Sequence, residues 1–125
     1  MPNYSVPEKY IELQNEIDQL MTNHKVKRTN LSKINPYGQE EADDPLESAS
    51  IYLFYGQLDS AISSIEDAVK NRKNYANDTE TKYIAEHGEN IELFLEKTKS
   101  LPSFTPPKLK PWYKRLFSKD AYESA

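Results

Sequence analysis

The chain has 125 residues, of which 37% are hydrophobic, with no cysteine and a net charge of −4. That is enough apolar content for one modest core in a single domain without disulfides or thiolate-held metals, and it suits a reducing compartment. No apolar run approaches the ~18 residues needed to cross a bilayer. The opening "MPNYSVPEKY" has neither the basic leader nor the apolar stretch of a signal peptide, so the expected location is cytoplasmic.

Ser5 stands three residues before Glu8, with Pro7 in what would be the first turn, a capping-box pattern. Tyr10, Leu13, Ile17, Leu20 and Met21 then recur at helical spacing and predict a first helix over 6–24. The basic run "HKVKR" at 24–28 falls where a helix C-terminus favours cations. It has no interleaved aromatic and sits in an acidic chain, which argues against nucleic-acid binding. "NPYG" at 35–38 fits a type I turn, with Tyr37 expected to pack on a neighbouring helix.

Asp44 reads as the cap of a second helix, with Pro45 as its first residue and Glu47 three after the cap. Ile51, Phe54, Tyr55, Leu58, Ile62, Ile65 and Val69 extend that helix over 45–73. Gly56 in its interior, roughly 1 kcal/mol worse than alanine there, predicts a bend near 56–59. The polar stretch "NYANDTET" at 74–81 interrupts the pattern. A third helix is expected over 79–101, starting at Asp78 or Thr79, with the stripe Tyr83, Ile84, His87, Ile91, Phe94, Leu95 and Thr98 and a weak middle at Gly88. Four prolines between Pro102 and Pro111 require extended chain, and Pro111 permits one short helix, "PWYKRLFSKDAYES". The expected fold class is therefore all-α: a compact helical bundle over 1–102, then a proline-rich linker and short amphipathic helix over 103–125.

Helices approach closely only where side chains are small. Ala49, Tyr52, Gly56, Ala61, Ile65 and Ala68 fall in an order and spacing that resembles the tetratricopeptide (TPR) helical hairpin over residues 42–75. The pattern departs from that family at Pro45, Ser48 and Lys73, where Trp, Leu and Pro are usual. Over the same hairpin the chain is also similar to microtubule-interacting and trafficking (MIT) domains, which are three-helix bundles. Either resemblance implies a module that binds a peptide or helix and has no chemistry of its own. By analogy with TPR units, Asp43, Leu46, Ser50, Leu53 and Phe54 would face the ligand.

Charge is unevenly spread. Between Ile34 and Val69 there are eight acids and no Lys or Arg, and between Ser103 and Lys119 five bases and no acid. The acids favour a basic partner segment. Trp112, Tyr113, Leu116 and Phe117 can share one face of the tail helix, beside Lys114 and Arg115. Such a helix can enter a partner groove, fold back on the bundle, or, as a third alternative, lie on an anionic membrane.

Nothing points to catalysis, a cofactor or a metal. His87 has Glu86 and Glu89 nearby but no second ligand at matching spacing, and reads as a packed core ring. There is no G-x-S-x-G turn, and three glycines cannot build a phosphate loop. Two readings follow. One is a non-enzymatic interaction module, an adaptor, chaperone or regulatory subunit that binds a basic or amphipathic segment of another protein. The other is a small inhibitor or immunity-type protein that blocks a larger enzyme or toxin by surface complementarity.

Overall fold

The stripe Tyr10, Leu13, Ile17 and Met21 winds a helix, α1 (Glu8–Asn23), and buries all four side chains. The computed structural model describes residues 4–26 and 44–107, and every regular element among them is helical. The expected first helix starts two residues late and its capping box does not form. Pro7, at φ −52° and ψ 137°, occupies the cap position and no side chain bonds to the helix start. Val6 precedes a proline and is held out of the helical region, so Ser5 cannot be the cap of a helix that runs through Val6.

The other end of α1 closes in a Schellman motif. The Val26 amide donates to the Met21 carbonyl and the Lys25 amide to the Thr22 carbonyl, each at 3.0 Å. The motif needs a left-handed residue, and Lys25 supplies it at φ 56°. A side chain there costs about 1–2 kcal/mol, part of which glycine returns as chain entropy. Lys25→Gly is therefore expected to raise stability by about 1 kcal/mol, seen as a few degrees in a thermal melt. An unchanged or lower melting temperature would contradict this.

Asp44 does cap the next helix, α2 (Pro45–Phe54), accepting from the amides of Leu46 at 2.8 Å and Glu47 at 3.4 Å, with Pro45 in the first position. Everything from Pro45 to Leu53 is buried, so α2 is the central helix. It stops at a second Schellman motif. Gln57 donates to the Tyr52 carbonyl at 2.8 Å and Gly56 to that of Leu53 at 3.1 Å, with Gly56 at φ 75°. The chain then enters α3 (Leu58–Lys70) and a single turn, α4 (Arg72–Tyr75). Residues 45–73 are thus two helices joined by a tight turn, with a further break at Asn71.

The region expected as one helix over 79–101 is also two, α5 (Lys82–Glu86) and α6 (Gly88–Lys99). Neither Asp78 nor Thr79 starts it. The break at His87 has a cause on another element. Arg72 Nε donates to the Ala85 carbonyl at 2.9 Å, taking an acceptor that a continuous helix would use internally. The same guanidinium lies where a Cβ on buried Gly88 would stand.

α1 packs on α2, α2 on α3, α3 on α6, and α6 returns to α1. The ring encloses one core that includes Tyr10, Ile17, Leu46, Leu53, Ile65, Ile84, Ile91 and Phe94. Ala49, Ala61 and Ala68 are fully buried in it and let α3 lie close to its neighbours. A second, smaller cluster of Ile51 and Tyr55, with Phe54 against it, lies apart from this core.

Candidate functional site

The proline-rich linker is tied to the bundle before the basic tail begins. Residues 102–107 follow α6 without regular secondary structure, and Tyr10 donates its hydroxyl to the Pro102 carbonyl at 2.5 Å. Phe104 meets Tyr10 edge-on with centroids 6.0 Å apart and stacks on Tyr4 at 6.4 Å. Tyr4 in turn donates to the Tyr55 carbonyl at 2.7 Å. The Phe104 ring lies against Gly56, where any Cβ would collide with it. Three aromatic rings thus form a buckle that holds the stretches before α1 and after α6 against the α2–α3 turn. Residues 56–60 and 103–106 line an open depression of about 480 Å³ beside that buckle.

Of the residues expected to contact a partner, Trp112, Tyr113, Lys114, Arg115, Leu116, Phe117 and Asp43 lie outside the described residues. Leu46, Ser50 and Leu53 are fully buried, and Phe54 is half-buried in the small cluster. Ser50 is held by a hydrogen bond from its hydroxyl to Asp18 Oδ1 at 2.6 Å. A ligand would reach these side chains only by displacing what covers them. The structure does not bring them to one open face.

Among the described residues Leu93, 46% exposed, is the one large hydrophobic side chain left in solvent. Those residues carry fifteen acids and eight bases, a balance of −7, against five bases and no acid over 108–119. In the sequence, the cationic, aromatic segment thus follows directly on an anionic body. The ion pair of Lys97 with Glu16, 2.7 Å long, is exposed on both sides and contributes at most about 1 kcal/mol.

Two tyrosines donate to carboxylates, one pair buried and the other at the surface. Tyr83 donates its hydroxyl to Asp44, and Tyr75 donates to Asp67 Oδ2 at 2.5 Å. Burial, then the Asp67 carboxylate, push the Tyr75 phenol up. Burial also raises the Asp44 carboxyl above its ordinary value, and the bonds from Tyr83, Leu46 and Glu47 only partly offset it. A raised acid holds its proton in the folded chain at a pH where the unfolded chain has released it. Its contribution to stability is therefore greatest at low pH and falls as pH rises through the raised value. Asp44→Asn keeps a cap acceptor but loses this titration. The stability of the wild type relative to the variant should fall as pH rises from about 4, in paired melts. A difference that grows with pH would show that the hydrogen bonds outweigh burial.

His87 is not a lone core ring. It is half-buried, and its centroid lies 4.3 Å from that of exposed His24, with the planes tilted by 54°. His24 also stacks on Tyr83 at 5.8 Å. Sequence spacing could not show this, because the Lys25 turn and the break at His87 together create the contact. Among the described residues no three His, Asp or Glu side chains converge as a metal site, and no helix is long and apolar enough to cross a membrane.

No protein-family model matches the chain, and neither a curated protein nor a solved structure matches it.

Proposed function

We propose that this chain is a non-enzymatic protein-interaction module, an adaptor, chaperone or regulatory subunit of the cytoplasm. In this reading the helical bundle is an acidic scaffold and the segment with Trp112, Tyr113, Lys114, Arg115, Leu116 and Phe117 is the anchor for a partner protein. The observation that carries it is the buckle of Phe104 on Gly56, Tyr10 and Tyr4, which fixes the chain shortly before that segment in the sequence. An anchored strap limits the chain entropy lost when the segment binds. The near absence of exposed apolar side chains on the described bundle supports the same division of labour.

The likeness to a TPR or MIT hairpin belongs to this proposal. The left-handed Gly56 and the buried Ala49, Ala61 and Ala68 are the features such a hairpin needs. Of its groove residues Leu46, Ser50 and Leu53 are buried and Phe54 is half-buried, which favours the tail for the recruiting role. The acidic surface separately favours the second reading, an inhibitor or immunity-type protein set against a basic enzyme or toxin surface.

Affinity capture from the native host, read by mass spectrometry, tests the proposal. Bait chains are the wild type, Trp112→Ala with Phe117→Ala, and an exposed-site control, Glu16→Ala. The proposal expects proteins that the wild type and control retain and the double variant loses. Recovery of the same proteins on all three baits would refute it.

A further inference from the structure

We infer that His24 and His87 form a two-imidazole binding site for a copper(II)-type divalent ion at the end of α1. They are the two histidines of the chain, and the fold brings them together from elements far apart in sequence. Each is pinned by its backbone. His24 is the C-cap of α1, held by the left-handed Lys25 that follows it. His87 donates its amide to the Tyr83 carbonyl at 3.0 Å, and its carbonyl accepts from Ile91 at 3.1 Å. The Tyr83 ring backs His24, and its hydroxyl is in turn fixed by Asp44. The pair is thus held from behind by a buried network and open to solvent in front.

The centroid separation falls in the range for two imidazoles on one ion. With a metal–nitrogen bond of about 2.0–2.1 Å, the centre of a ligating imidazole lies roughly 3.2 Å from the ion. Two such rings have centres about 4.5 Å apart when cis in a tetragonal site, and about 5.2 Å apart in a tetrahedral one. The observed separation is 4.3 Å with the rings tilted by 54°, closer to the tetragonal value. Tetragonal nitrogen and oxygen sites suit copper(II), which also binds imidazole most tightly of the first-row divalent ions. No third His, Asp or Glu joins the pair among the described residues, so water completes the coordination. The anionic bundle raises the local concentration of cations around it.

The test uses the full chain and copper(II) in a non-coordinating PIPES buffer at pH 6.8, followed by calorimetry and electron paramagnetic resonance. One equivalent should bind, with nitrogen hyperfine structure from two imidazoles. His24→Ala and His87→Ala should each weaken that binding at least tenfold. Ion at about a hundred times its dissociation constant should raise the melting temperature by several degrees in the wild type alone. Substoichiometric copper(II) added to the unmodified chain should broaden the two imidazole proton signals first, a readout that needs no variant to fold. Broadening that starts elsewhere, binding unchanged in both variants, or no binding by the wild type would overturn the site.

Discussion

Gly56→Val is expected to destabilise the bundle by about 3 kcal/mol or more, a fall of roughly 10 °C in melting temperature for a chain of this size. Two costs combine. A β-branched residue at φ 75° carries about 1–2 kcal/mol of backbone strain. Its Cβ also drives Phe104 out of its seat, and losing the burial of an aromatic ring costs about 1.5–3 kcal/mol. The two parts are separable. Gly56→Asn tolerates the left-handed backbone but not the ring, whereas Gly56→Ala combined with Phe104→Ala removes the collision and keeps the strain. The double variant should cost less than the sum of its singles, the sign of a direct contact. A Gly56→Val chain that melts within a few degrees of wild type would mean that Phe104 is not seated there in solution.

Trp112→Ala with Phe117→Ala should weaken partner binding by about a thousandfold, since buried aromatic anchors commonly contribute 2 kcal/mol or more each. The same change should leave the bundle's melting temperature nearly unaltered. Titration calorimetry against the captured partner measures the first effect and a thermal melt the second. The buckle decides where a truncation must fall to make this comparison fair. Cutting after Ser103 removes Phe104 and with it part of the bundle, whereas cutting after Pro107 removes the tail alone.

What could be read from the sequence was what single residues dictate. Asp44, Pro45 and Glu47 mark a helix start because capping is local chemistry, and the structure shows that cap. Gly56 marks the turn because one left-handed residue ends a helix wherever it stands. Features that depend on a distant partner were not legible. Gly88 marks the middle of 79–101 as weak, but the full break at His87 depends on Arg72, on another element, taking the Ala85 carbonyl. By the TPR analogy Ser50 would face a ligand, yet it is buried and bonded to Asp18 from α1. The Ser5 cap failed for a local reason that outranked the motif, the restriction that Pro7 places on Val6. The candidate site divides the same way. The chemistry of the tail is plain in its residues, while the buckle ahead of it draws on Tyr4, Tyr10, Tyr55 and Phe104 from separate segments.

The central claim is that the bundle stands without the basic, aromatic tail, which is therefore free to serve a partner. Thermal melts of the full chain and of a chain ending at Pro107, under identical buffer and salt, test it most directly. The account predicts melting temperatures within about 2 °C of each other, because the core and the Phe104 buckle are intact in both. A fall of more than about 5 °C on removing 108–125 would contradict it. The tail would then be a structural lid, with the Ile51, Phe54 and Tyr55 cluster the surface it covers.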